Sequence, residues 1–379
     1  MTDSSPPRSA KIPPGALPRS EEGRLDWLRL IRSRRVGPAT FIRLIRQFGS
    51  ARGALDALPA IAAESGVRDY APASRSEVEA EWRAAAAAGA APLLLGGPGY
   101  PALLATIADP PPFLWAMGSE ELCGQRSVAL VGARNASALG CRMAARLATD
   151  LGGMGFAIVS GLARGIDAAA HRAALATGTI AVQAGGVDVV YPAENGGLAA
   201  SIAESGLRLS EMPIGHAPRP QDFPRRNRIV SGLAEGIVVV EGALRSGSLI
   251  TARNALDQGR EVMAVPGSPM DPRAGGCNAL IRDGATLVRD AADVAEALAA
   301  AGGTALPAAA PRREEAPAAA PAGSEGRLLD LLGPAPVAED LLIRELGCPA
   351  AALAAALIDL ELAGLVQRHP GGLVSRVPG

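Results

Sequence analysis

Between residues 101 and 300, short β-branched runs alternate with longer helical ones, and no other feature of the chain narrows its fold so far. Strand-like segments fall at Val128–Val131, Ala157–Val159, Ile180–Gln183, Ile237–Val240, Val262–Val265 and Thr286–Val288. Helical spacing marks Ala138–Leu151, Ile166–Ala176, Leu198–Glu204, Arg226–Ala234 and Leu249–Gln258 between them. Parallel strands need crossover connections of this length, and helices supply them. The expectation is an α/β fold with an extended, Rossmann-like, doubly wound and mostly parallel sheet, helices on both faces. The Ala-rich Ile166–Ala176 helix suits close packing on that sheet.

The flanks read differently. Residues 1–23 are rich in Pro, Ser and Arg without periodicity, as in a disordered tail. Residues 24–100 read as a small helical domain of the SAM or helix-hairpin-helix kind. Leu25, Leu28, Leu30 and Ile31 give one apolar face, Val36-Gly37-Pro38 breaks it, and Phe41, Leu44, Ile45 and Phe48 resume it up to a Gly49 cap. Turn amides of such a hairpin can meet a phosphate, but helix packing is the reading favoured here. Residues 301–324 form a Pro/Ala linker. Residues 325–379 offer helices at Gly326–Leu332, Val337–Leu346 and Ala350–Leu362, then a hairpin of Leu365–Arg368 with Leu373–Arg376, which makes a winged helix. Its third helix carries only Asp359 and Glu361 as charges. A duplex-reading helix presents Arg, Asn or Gln, so a protein-interaction module is favoured.

Composition removes several function classes. Lys11 is the only lysine, so no Gly-x-x-x-x-Gly-Lys-Ser/Thr loop exists and a P-loop ATPase is excluded. Net charge is −1, so any basic site is local. Cys123, Cys141, Cys277 and Cys348 are widely spaced, as buried free thiols in a reducing compartment are. With no apolar leader after Met1 and no apolar run of membrane length, a cytoplasmic protein is expected.

In an open parallel sheet, ligands bind beyond the carboxyl ends of the strands. Three strand-to-helix turns concentrate small residues, hydroxyls and arginines at that edge: Gly132 to Ser137 with Arg134, Ser160 to Asp167 with Gly161, Ala163 and Arg164, and Arg245 to Ser248 with Ser246 and Gly247. Each leads into a helix whose first amides lack partners, so together they describe an anion site. None reads Gly-x-Gly-x-x-Gly, which disfavours a dinucleotide cofactor; no cofactor or metal is expected. The most basic segment is Arg219–Arg228, with Phe223, Arg225, Arg226, Asn227 and Arg228. Forked guanidiniums suit phosphates, and Phe223 suits stacking on a base. Asp167 and His171 are spaced i, i+4, and a helix-stabilising hydrogen bond is the expected role of both. Ser160 lacks a nucleophile elbow, which disfavours hydrolysis.

These motifs, in this order, resemble the DNA-processing protein A (DprA/Smf) family. The residues that carry the resemblance are Val128–Arg134, Ser160–Asp167 with Ala170-His171, Tyr191-Pro192 with Asn195, Ser210-Glu211, Phe223–Arg228, Glu241 with Ser246–Ala252, Val265-Pro266-Gly267, and Asn278 with Leu280-Ile281 and Gly284-Ala285. The resemblance implies a homodimer that binds single-stranded DNA without sequence preference, protects incoming DNA during natural transformation, and loads the RecA recombinase. It places phosphate contacts at Arg134, Ser160, Gly161, Ala163, Arg225, Asn227 and Arg228, and it implies no enzymatic activity. The alternative is a nucleotide-processing enzyme of the phosphoribohydrolase kind. Its Pro-Gly-Gly-x-Gly-Thr turn is replaced here by Glu241-Gly242-Ala243-Leu244-Arg245-Ser246-Gly247-Ser248.

Overall fold

The computed structural model describes residues 12–13, 15–302, 324–333, 335–369 and 372–377. The residues up to 302 form one compact unit and those from 324 a second. Residues 1–11 of the expected tail and 303–323 of the expected linker lie outside the described residues.

The first unit opens with four helices, α1 (Glu21–Arg32), α2 (Pro38–Phe48), α3 (Ala51–Glu64) and α4 (Arg75–Ala87). Ser20, Ser50 and Ser74 accept hydrogen bonds at the amino ends of α1, α3 and α4, and Gly49 closes α2 in the left-handed region at φ 73°. The expected tail is therefore ordered over its second half. Ala16 is buried, Ile12 and Leu17 pack on the helices, and α1 begins at Glu21. Apolar residues among prolines were enough to dock a segment without periodicity.

After the helices come β1 (Ala91–Leu94), β2 (Phe113–Gly118), β3 (Ser127–Val131), α5 (Ala138–Gly153), β4 (Ala157–Ser160), α6 (Ile166–Ala174), β5 (Thr179–Val182), α7 (Gly196–Ser205) and β6 (Leu207–Ser210). The series ends with α8 (Asp222–Leu233), β7 (Gly236–Val239), α9 (Gly247–Asp257), β8 (Glu261–Ala264), α10 (Gly275–Arg282), β9 (Thr286–Leu287) and α11 (Ala291–Ala300). One sheet holds all nine strands in the order β1-β2-β6-β5-β4-β3-β7-β8-β9. From β6 to β9 the strands are parallel, while β1 and β2 join antiparallel at the far edge. Every residue of β3 to β7 is buried, as a sheet covered on both faces requires.

Several elements depart from the sequence reading, among them three strands. β1 lies within the stretch read as purely helical, and β2 and β6 lie in stretches given no strand. All three are short, and sheet pairing rather than local pattern defines them. α8 starts at Asp222, four residues before the expected Arg226. Asp222 accepts from the Arg219 amide (2.9 Å) and meets His216 Nε2 (2.8 Å), which folds the preceding loop onto the first turn.

The second unit contains α12 (Ser324–Leu331), β10 (Val337–Ala338), α13 (Glu339–Leu346), α14 (Ala350–Leu362), β11 (Val366–His369) and β12 (Leu373–Arg376), with sheet order β10-β12-β11. Leu328, Leu342, Leu353, Leu357, Val366 and Val374 form its core, which is the winged-helix arrangement. All four cysteines are free, and only Cys277 is fully buried. No described helix is long and apolar enough to cross a membrane.

Candidate nucleic-acid interface

From β3 the chain steps outward through β4, β5 and β6, then crosses back to β7 on the other side of β3. That reversal opens a crevice at the carboxyl ends of β3 and β7. A cleft of about 850 Å³ occupies it. Its wall is built from Gly132–Asn135 after β3, Gly161 and Ala163 after β4, Tyr191, the first turns of α8, Arg245–Ser248 at the start of α9, and Arg273.

Tight backbone packing sets these turns. A Cβ on Gly132 would stand 2.6 Å from Ile166 Cγ1, and one on Gly165, at φ 70°, would stand 2.3 Å from the Ala133 carbonyl. Leu162 holds a left-handed φ of 56° with its side chain buried against Ala168, Ala199 and Ile202. That conformation costs about 1–2 kcal/mol for a non-glycine residue. Asn195 Nδ2 donates to the Leu162 and Ala163 carbonyls (3.0 and 3.3 Å) and so clamps the strained turn from outside.

Two of the three turns are already occupied by carboxylates of the protein itself. The buried Asp167 accepts from the Gly161 and Ala163 amides (3.1 and 3.3 Å). Glu241 accepts from the Ser137 amide (2.9 Å) and the Ser137 hydroxyl at the start of α5. The expectation of free turn amides is corrected there: anions do sit on the amides, but they are internal. Opposite Asp167, the buried Arg226 donates through Nη1 to the Gly161 and Val182 carbonyls. Burial raises the Asp167 carboxyl pKa while Arg226 pulls it down, and burial lowers the Arg226 guanidinium to about 10. His171 meets Thr179 Oγ1 at 2.7 Å, and burial together with Arg226 pushes its pKa down to about 3. Asp167 and His171 thus make their hydrogen bonds elsewhere, not to each other.

The basic residues of the sequence reading separate into distinct fates. Arg134 is exposed on the cleft wall, its guanidinium 4.9 Å from the Phe223 ring centre, and Tyr191 stands 5.6 Å from Phe223 on the same wall. Asn227 joins the wall and reaches the Gly247 carbonyl at 3.5 Å. Ser246 caps α9 through the Ser248 amide, and Gly247 faces open space. Arg225 is exposed on α8 beside the cleft without lining it. Arg228 turns away to Glu211 (2.7 Å) and Asp109 (3.2 Å), so it is a strut between loops rather than a free cation. Arg164 lies outside the cleft against Glu194 (3.7 Å), and the Ser160 hydroxyl points inward to the Leu130 carbonyl (2.6 Å). Tyr191, Asn135 and Arg273 were not singled out as site residues from sequence. Tyr191 stood in the family motif, and Arg273 follows β8 at the same sheet edge, so strand order was the signal that pointed to it.

The chain matches the family described as DNA recombination-mediator protein A over residues 92–299, a DprA-like N-terminal HHH domain over 21–84, and a DprA winged helix domain over 312–372. It is 39% identical over 284 residues to protein Smf of Escherichia coli, covering 73% of this chain and 74% of the relative. It is 46% identical over 202 residues to the DNA processing protein DprA of Bacillus subtilis, covering 52% and 68%. The X-ray structure of DNA processing protein A from Streptococcus pneumoniae superposes with a TM-score of 0.63 at 35% identity, covering 71% of this chain and 96% of that one. A structure described as showing the single-stranded DNA binding mode of DNA processing protein A from Helicobacter pylori superposes with a TM-score of 0.50 at 29% identity, covering 53% and 93%.

Proposed function

Because this chain belongs to the DNA recombination-mediator protein A family, we propose that its switch-point cleft holds single-stranded DNA and that the bound strand is passed to the RecA recombinase. The observation that carries this reading is the group Arg134, Phe223 and Tyr191 on one wall. Arg245 lines the same cleft and has no carboxylate partner among the described residues. Cations neutralise phosphates and rings stack on base faces, a combination that binds any sequence. The Helicobacter pylori relative's described binding mode supports the choice of a single strand. Gly132, Gly161, Ala163, Asn227, Ser246, Gly247 and Ser248 shape the wall, with Arg134 and Arg225 as the phosphate contacts.

The protein works as a cytoplasmic homodimer that shields incoming DNA during natural transformation, and it is not an enzyme. Asp167 is committed to two amides, His171 is buried against Thr179, and the Ser160 hydroxyl donates into the sheet. All three side chains are thus engaged inside the fold. The test is binding of single- and double-stranded oligonucleotides of one sequence, followed by RecA filament growth on the coated single strand. Preference for the single strand and faster filament nucleation are expected. Equal affinity for both forms, or steady turnover of nucleoside monophosphates, would overturn the reading.

A further inference from the structure

The turn between α1 and α2 does not lie apart from the cleft. Arg32, the last residue of α1, donates from Nη1 to the Glu211 carbonyl (3.1 Å), immediately after β6. Glu211 in turn receives two hydrogen bonds of 2.7 Å from Arg228 of α8, the helix whose first turns line the cleft. Trp27 donates to the Pro112 carbonyl at the start of β2 (2.9 Å), and Val187 and Ile214, from the loops after β5 and β6, pack into the helical core. The α1–α2 turn therefore sits along the carboxyl edge of the sheet, the edge on which the cleft opens.

That turn carries Arg34 and Arg35, both exposed, and among the described residues neither has a carboxylate partner. Arg34 lies over the Tyr70 ring at 5.7 Å. Several neighbouring arginines are tied down: Arg32 by Glu81, Arg29 by the Ala73 carbonyl, Arg52 by Glu22 and Asp26, Arg75 by Glu22 and Glu79. Beyond the pair, α2 begins at Gly37 without a side-chain cap and has no acid in its first turn. Arg34 and Arg35 thus place two uncompensated positive charges at a turn that shares an edge with the cleft. Charge of one sign left unpaired beside a groove extends the path of a polyanion.

We propose that Arg34 and Arg35 form a second phosphate station, holding the same single strand after it leaves the cleft over α8. This rests on the reading of the cleft as the site of the strand. Arg35 has φ 65°, a conformation that glycine adopts without strain, so Arg35→Gly removes the charge without harming the fold.

The experiment compares the wild-type chain, the double variant Arg34→Ala/Arg35→Gly, and Arg134→Ala. Each is titrated with oligonucleotides of about 6 and about 30 nucleotides over a range of salt, the short one filling the cleft alone. The double variant is expected to keep its affinity for the short strand. With the long strand its log–log salt slope becomes shallower by about 1.4, two phosphates' worth for single strands. Its melting temperature is unchanged or higher. An unchanged slope with the long strand overturns the proposal, as does an equal loss at both lengths. Arg134→Ala tests the cleft separately: if it leaves both lengths unaffected, the reading of the cleft fails whatever the hairpin does.

Discussion

Arg134 and Arg228 came out of the sequence as equivalent phosphate contacts, and replacing each with alanine is expected to have opposite effects. Arg228 is only 13% exposed and bonds Glu211, itself 16% exposed, twice at 2.7 Å; it also meets the Asp109 carboxylate at 3.2 Å and the Asp109 carbonyl at 2.8 Å. Removing it leaves Glu211 largely desolvated without a partner. Breaking a buried pair costs about 3–5 kcal/mol, whereas a pair as open as that with Asp109 adds about 0–1 kcal/mol. Allowing for the part of the site that water still reaches, about 2–4 kcal/mol is expected. At about 2–4 °C per kcal/mol for a domain of this size, melting should fall by about 5–15 °C. The salt slope of single-strand binding should stay where it was.

Arg134 lays its guanidinium over the Phe223 ring and makes no ion pair among the described residues. Its loss should cost the fold about 0.5–1 kcal/mol but flatten the log–log slope by about 0.7. Between 0.05 and 0.2 M salt, that narrows the gap between variant and wild type about 2.6-fold. Fluorescence anisotropy across that salt range, with melting curves on the same samples, measures both quantities. If Arg228→Ala flattened the slope while melting stayed put, its guanidinium would have to leave Glu211 for a phosphate, and the sorting of these arginines would be wrong.

His171 has a folded pKa of about 3 against about 6.5 unfolded, so between those values the unfolded chain takes up a proton that the folded chain refuses. Its contribution to stability is full above pH 6.5 and falls by up to about 1.4 kcal/mol per unit as pH drops; urea midpoints at pH 5, 6 and 7 should show a smaller fall in His171→Gln. Asp167→Asn preserves shape but removes the charge opposing the buried Arg226, which should cost about 1–3 kcal/mol in urea unfolding. A loss under about 1 kcal/mol would show that the pair is already neutral in the folded protein. A chain truncated after Gly302 should keep single-strand affinity within about tenfold, because every cleft residue precedes that point and α14 carries only acidic charges. A larger loss with the fold intact would assign part of the binding to the winged helix.

The sheet and the location of the cleft were legible in residues 101–300 because their signals are local. Val128–Val131 or Ile237–Val240 suits a strand buried on both faces whatever lies beside it. In a parallel sheet every strand-to-helix turn emerges at one edge, so the turns after β3, β4 and β7 were bound to meet there. Ser137 and Ser246, read from the sequence only as parts of the anion-site turns, serve as caps that bond amides two or three residues away.

What the tertiary structure decided was the fate of each charge. Arg225, Arg226 and Arg228 occupy one turn of one helix, and helical phase turns them to different faces. Which face meets the sheet depends on α8 packing over β4 and β5, which puts Arg226 on the Gly161 and Val182 carbonyls and Arg228 on Glu211. Folding made Asp167 and Glu241 the anions on the turn amides, because amides held away from water need acceptors. β2 is a strand because β6 offered it an edge to pair with, and β1 because β2 then offered another. The α1–α2 turn faces the cleft's edge because Arg32 meets a carbonyl 179 residues away. Hydrogen bonds across such separations leave no periodicity in the chain, so packing alone selected them.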